Sequence, residues 1–289
     1  MDQFTTQDVS VIVCTKNSIN GIRSCLQSLR AAGVGQLIVV DATSTDGTNE
    51  IATELADLVL TDPGTGLGNA RNIGIKETTQ SLILNMGSDN ILPDGQLEKM
   101  ITYLEAGDFH GVAAQTRIVG DDFCSRGLNA WRAGRFTEGE RAVIGTPTLF
   151  IGDLLREEPY DPSRKFSDDS ELCERWAKEF AARFAISNAY VLEVGKTSWE
   201  EVWIRAKMYG ISDHEIFAKN SNQWTILRKA KSLSHPISSD FFTPVRRLPL
   251  TQAASNIPFL GTFTALRYAG WIASSLAKPN DINSTGNLN

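Results

Sequence analysis

Acidic and small polar residues stand directly after apolar runs in the first ninety residues, where their types could bind or move charge. Asp41 closes Gln36 to Val40 and leads into Ala-Thr-Ser-Thr-Asp-Gly-Thr. Ser88 and Asp89, in Gly87-Ser88-Asp89-Asn90, follow the run that contains Leu82 to Leu84. Thr15, Lys16 and Asn17 follow Val9 to Cys14, and a glycine-rich turn with Arg71-Asn72 follows Leu58 to Leu60. A carboxylate at the end of an apolar strand is costly to desolvate unless it binds something. Open parallel sheets bind ligands beyond the carboxyl ends of their strands, so four such ends form a candidate site. A further acidic pair, Asp168-Asp169, precedes an amphipathic stretch. Taken alone that pair reads as helix capping, because acids are favoured in a first helical turn. Asp89-Asn90 alone reads as an ordinary turn. The G-x-G-x-G at Gly64 to Gly68 follows the third strand rather than the first, which argues against dinucleotide binding.

The elements that must position these residues follow from periodicity. Val9 to Cys14 is a β-branched apolar run that fits a strand buried on both faces. Ile22, Cys25, Leu26 and Leu29 form one helical stripe, as do Leu97, Met100, Ile101 and Leu104. Strands alternating with helices at this spacing predict βαβ units and a parallel sheet. Residues 120–150 show no clean period. Helical pattern returns near Glu171–Phe184 and with Trp199, Val202, Trp203 and Ala206, around a strand at Ile186 to Val194. The Trp199–Ala206 stripe reads as core packing. Trp131, Arg132 and Arg135 stand in the irregular middle as candidate acceptor or phosphate contacts.

Composition narrows the classes. The chain has 289 residues, 42% hydrophobic and 21% charged, which fits a globular chain and excludes collagen, low-complexity disorder and a polytopic membrane protein. A net charge of −6 argues against nucleic-acid binding. Cys14, Cys25, Cys124 and Cys173 are irregularly spaced without a CxxC pair, so they read as buried thiols in a reducing compartment. The start, MDQFTTQDVS, lacks an apolar core and does not read as a signal peptide, which predicts a cytoplasmic protein.

The segments VSVIVCTKN, VVDATSTDGT, GLGNARNIGI and MGSDN together resemble the N-terminal half of family 2 glycosyltransferases of the inverting GT-A type. The resemblance covers roughly residues 8–105, and SDDSELCERW at 167–176 adds a later motif. It implies a Rossmann-like α/β fold, a mixed, mainly parallel sheet flanked by helices, here with a helical C-terminal appendage. It also implies a nucleotide-diphospho-sugar donor and an acceptor hydroxyl on a polysaccharide, glycolipid or lipid-linked glycan. By position, Thr15, Asn17, Asp41, Arg71 and Ser88 would bind the donor. Asp89 corresponds to the last acid of the family's D-x-D and would hold Mg²⁺ or Mn²⁺. Asp169 would be the general base, with Asp168 beside it; a like-charged neighbour raises a carboxylate's pKa, which suits proton acceptance. The chain departs from the pattern at Gly87 and Ala42, where acids are usual. Two other readings therefore stand beside transfer: a non-catalytic nucleotide-sugar-binding scaffold on the same fold, and a sugar nucleotidyltransferase.

The expected organisation is a catalytic domain at 1–223, a basic and aromatic helical extension at 224–277 and a disordered tail at 278–289. From Trp224 to Ala277 six basic residues face one acid, Asp240, whereas residues 1–223 carry a net charge of −11. Leu260, Phe263 and Leu266, with Arg228–Lys231 and Arg246-Arg247 before them, predict an interfacial helix on an anionic membrane face, peripheral on its inner side. The competing reading packs that helix on the rest of the protein.

Overall fold

Aliphatic residues packed on both faces build the first strands. In the computed structural model, which describes residues 3–64, 66–162, 168–195 and 197–277, β1 (Val9–Thr15), β2 (Gln36–Asp41), β3 (Leu58–Thr61) and β4 (Leu82–Gly87) pair in parallel in the order 3-2-1-4. Alternation sends Val11, Leu37, Leu84 and Met86 to one core, with the stripes of α1 (Ile22–Ala31) and α4 (Gln96–Ala106), and Ile12, Ile38 and Ile83 to a second. The helix α2 (Thr48–Leu55) follows β2, and α3 (Leu67–Ile75) crosses the other face. At Gly74 a β-carbon would lie 2.7 Å from Ile12 Cγ2, so the missing side chain lets α3 seat on β1.

The sheet continues through β5 (Asn90–Ile91), β6 (Gly111–Ile118), β7 (Gly139–Arg141), β8 (Thr148–Ile151) and β9 (Phe184–Glu193). Its full order is β3-β2-β1-β4-β8-β6-β9-β5, with β7 beside β9, and β8 runs antiparallel to both β4 and β6. This is the mixed, mainly parallel sheet expected. The helix α7 (Asp168–Phe180) buries Leu172, Cys173 and Trp176 in the second core, where α6 (Gly152–Glu157) also contributes Leu155.

Among the described residues, those within 3–117 and 137–194 form one compact unit, and those within 118–136 and 195–277 form another. The sequence suggested a single division at 223/224, whereas the second unit takes in a segment from the middle of the chain. That segment is α5 (Phe123–Arg135), a regular helix inside the stretch that showed no period. It packs in the second unit with α8 (Trp199–Asn220), α10 (Thr243–Arg247) and α11 (Leu250–Leu276). Glycines set the α8–α11 crossing: a β-carbon on Gly210 would strike the Arg267 carbonyl, and one on Gly270 the Lys207 carbonyl.

Three expectations for this unit need correction. Leu260, Phe263 and Leu266, read as membrane anchors, are buried with Phe259 against Leu128 and Trp131 in its core, because the stripe finds an apolar partner in α5 and α8. Conversely Trp199 and Trp203 are about half exposed, while Val202 and Ala206 of the same stripe carry the packing. Trp131 is itself core, and Arg135 pairs with Asp240 inside the unit, so neither is placed as a substrate contact. No helix among the described residues is long and apolar enough to cross a membrane. The expected disordered tail lies outside the described residues.

Candidate functional site

The carboxyl ends of the parallel strands converge with α7 on one rim. Thr15 ends β1 in register with Asp41 at the end of β2, and both are buried. Among the described residues the Thr15 hydroxyl has no hydrogen-bond partner, an orphan where a ligand is expected. Asp41 accepts from the Ser44 backbone N–H at 3.0 Å and from its hydroxyl. Asn17, at φ 47°, donates its backbone N–H to Ser44 Oγ at 2.8 Å, and its side-chain oxygen accepts from the Thr45 N–H at 2.9 Å. The β1 and β2 loops are thus tied together around Asp41. Ser88 lies across from Ser18, their hydroxyls 3.0 Å apart, which brings the β4 end to the same loops.

Arg71, on α3, is almost wholly buried and bridges to α7. Its Nη1 donates to Asp168 Oδ2 at 2.8 Å and to Asp169 Oδ1 at 2.9 Å, and its Nη2 donates to the Thr146 hydroxyl. The guanidinium also lies 5.0 Å from the centre of the Tyr160 ring. Burial alone would lower the Arg71 pKa, but Asp169, Tyr160 and Asp168 outweigh it and hold the charge in place. Asp169 is raised above the ordinary carboxylate range, chiefly by burial; Arg71 opposes that shift and Asp168 adds to it. The neighbouring Cys14 thiol is pushed up to about 12 by burial, with smaller influences from Arg71, Asp62 and Asp168, and so is not a nucleophile.

Three residues given no role from the sequence complete the rim, Asn85 among them although it opens the stretch that leads to Asp89. Tyr160 is held by Asn72, whose amide nitrogen donates to its carbonyl at 2.7 Å and whose oxygen accepts its N–H at 3.0 Å. Asn85 of β4 donates to the Tyr160 hydroxyl at 3.1 Å, and that hydroxyl reaches Asp169 Oδ1 at 3.4 Å. This chain of contacts runs from β4, four residues before Asp89, to the carboxylate of α7. Asp62, just past β3, is buried and accepts the Gly64 N–H at 2.9 Å. A lone amide in the apolar run LILNM was a readable sign of Asn85; nothing in the local pattern marks Tyr160.

Asp89 offers a carboxylate just beyond β4, and the Asn90 amide nitrogen donates to its Oδ1 at 3.2 Å. A β-carbon on Gly87 would sit 2.9 Å from Asp89 Oδ1 and 3.0 Å from Asn90 Oδ1, so the glycine keeps the space beside those oxygens clear. Among the described residues no three His, Cys, Asp or Glu gather as a cation cage. A single carboxylate would leave such an ion to take its other ligands from phosphates and water.

The family described as glycosyl transferase family 2 matches residues 10–156. Glycosyltransferase AglJ of Haloferax volcanii is 27% identical over 120 residues, covering 41% of this chain and 37% of that protein. The matched part spans about a third of the length of the curated relatives. Among solved structures, the mannosyltransferase PcManGT from Pyrobaculum calidifontis, in complex with GDP-Man and Mn²⁺, is similar at a TM-score of 0.61 and 19% identity, covering 93% of this chain and 86% of that one. TarS 1-349 of S. aureus in complex with UDP is similar at a TM-score of 0.51 and 17% identity, covering 96% and 91%. At these identities the likeness establishes the fold.

Proposed function

The chain belongs to glycosyl transferase family 2, and on that premise we propose that it moves a sugar from a nucleotide-diphospho-sugar to an acceptor hydroxyl with inversion. The observation that carries this reading is the meeting of Arg71 with Asp168 and Asp169, in the unit where Thr15 and Asp41 end their strands and Ser88 and Asp89 directly follow β4. The acceptor is a polysaccharide, glycolipid or lipid-linked glycan, and the protein works on the cytoplasmic side with peripheral contact to an anionic membrane surface.

An inverting transfer is one displacement. The acceptor oxygen bonds to the anomeric carbon as the bond from that carbon to the diphosphate oxygen breaks, and the leaving pair stays on the nucleoside diphosphate. Asp169 takes the hydroxyl proton; its raised pKa makes it a better acceptor than an ordinary surface carboxylate. Asp168 orients it together with Arg71, which the sequence suggested as a donor contact but which is engaged by both aspartates and Thr146, while Thr15, Asn17, Asp41 and Ser88 face the nucleotide. Asp89 would hold Mg²⁺ or Mn²⁺, which when bound neutralises the charge on the departing diphosphate.

The test uses donor hydrolysis and thermal-shift binding with a panel of UDP-, GDP- and dTDP-sugars, with and without Mn²⁺. Asp169→Asn lowers turnover by about 10²–10⁴-fold while donor binding persists. Asp89→Ala removes the Mn²⁺-dependent part of donor binding. Wild-type turnover against pH falls on the acid side at a value above the ordinary Asp range. Full turnover in the Asp169 variant would remove the base assignment, and saturable donor binding without turnover in the wild type would favour the scaffold reading.

A further inference from the structure

The helix α9 (Ile226–Pro236) presents its polar and apolar faces the wrong way round for a helix packed on a core. Ile226, Ala230, Leu233 and Ile237 recur at i, i+4, i+7 and i+11, one stripe at helical spacing, with Leu227 at its edge. That stripe is open to solvent: Ile226 is 87% exposed and Leu227 80%, with Leu233 and Ile237 also exposed. The opposite face carries Arg228, Lys231 and His235, which with Trp224 and Asp213 line a cleft of about 180 Å³. Trp224 rests edge-on against Phe217, ring centres 5.9 Å apart, and the Arg228 guanidinium lies 4.9 Å from the Trp224 ring centre. Asp213 is committed to Arg267, at 2.7 and 2.9 Å, so Arg228 and Lys231 give the cleft its positive character.

An exposed apolar stripe beside a cationic cleft asks for an occupant that is apolar at one depth and anionic at the next. A soluble anion fills the cleft and leaves the stripe wet, and an apolar protein face covers the stripe without using the cations. An anionic phospholipid bilayer supplies both layers in that order. We propose that α9 docks on such a bilayer, with Ile226, Leu227 and Leu233 against the acyl chains and Arg228 and Lys231 receiving lipid phosphates. This specifies the peripheral attachment in the functional reading and moves it from the buried stripe of α11 to α9.

The test is co-sedimentation of the full chain with phosphatidylcholine vesicles and with vesicles of phosphatidylcholine and phosphatidylglycerol. The wild type partitions to the anionic vesicles and little to the neutral ones. Ile226→Asp with Leu227→Asp, and separately Arg228→Glu with Lys231→Glu, each lower that partition about tenfold or more. Arg228→Lys with Lys231→Arg retains it. All four positions are exposed, and unchanged circular dichroism confirms that the variants fold. Equal binding to the two vesicle types, or wild-type binding by the Ile226/Leu227 variant, overturns the proposal. So does a wild-type dimer in sedimentation velocity that the same variant dissolves while vesicle binding is absent. Sedimentation reads lipid contact alone, so its failure leaves sugar transfer standing, and loss of turnover leaves the docking result intact.

Discussion

Each unit holds an arginine gripped by two aspartates, and the two clusters behave in opposite ways. In the second unit Arg267 donates to Asp213 and to Asp240, at 2.6 Å to the latter, and Arg135 holds the other Asp240 oxygen. Two cations balance two anions there, and Asp240 has no exposure at all. Burial would raise the Asp240 pKa, but Arg135 and Arg267 together hold it below the usual carboxylate value. In the first unit a single Arg71 faces Asp168 and Asp169, which keep 13% and 24% of their side-chain surface. One cation cannot satisfy two partly solvated anions, and Asp169 moves the other way. The lesson is one of charge balance: the second cluster is neutral and sealed, whereas the first is left short of positive charge and partly solvated, the kind of perturbation that marks a candidate for proton transfer.

The strongest way to break this contrast is to remove the centre of the sealed cluster. Asp240→Ala leaves Arg135 without its carboxylate and Arg267 with Asp213 alone, and costs about 3–5 kcal/mol, read as a lower urea midpoint. The pH dependence follows from the sign of the shift. A carboxylate lowered by folding contributes stability above its unfolded pKa and loses it as pH falls through the folded value. The gap between wild type and the variant is therefore full at neutral pH and closes only under strongly acid conditions. A gap of less than 1 kcal/mol at neutral pH would mean that the cluster is not structural.

Arg71→Met is the matching change in the first unit, with a smaller expected cost of about 1–2 kcal/mol, because Asp168 and Asp169 can recover water. Its informative effect is on protonation. Without the guanidinium that opposes burial and Asp168, the Asp169 pKa rises further, and the acid limb of the turnover profile moves to higher pH. An unmoved limb would mean that Asp169 does not set it.

How much of this was readable beforehand depends on what periodicity can count. The parallel strands were legible because burial on both faces makes them continuous apolar runs, as in Val9 to Cys14. The helix α5 was not, because part of its contact face is glycine. A β-carbon on Gly127 would strike the Phe259 ring, and one on Gly134 would strike Pro244, so the closest packing leaves no apolar side chain to detect. The α11 stripe was seen, but its partners lie more than a hundred residues away in α5, and a stripe cannot announce whether protein or lipid covers it. The strand-end residues of the candidate site could be named from their positions alone. The grip of Arg71 on Asp168 and Asp169 joins residues 97 and 98 apart and is a product of topology.

The mildest change tests whether the surroundings of Asp169 tune it. Tyr160→Phe keeps the buried ring beneath Arg71 and removes one oxygen, which accepts from Asn85 and reaches Asp169 Oδ1 at 3.4 Å. The stability cost is about 1–3 kcal/mol, mostly from an Asn85 amide left without its acceptor. A hydrogen bond to the charged form of a carboxylate favours that form, so its loss raises the Asp169 pKa. Because 3.4 Å is long for an O–H···O bond, the acid limb moves upward by less than in Arg71→Met. Donor affinity stays unchanged, since the hydroxyl faces the proton acceptor and not the nucleotide. A variant that lost stability with its pH profile fixed would assign Tyr160 to packing alone, and the charge shortage at Asp169 would then rest on Arg71 and Asp168 without help.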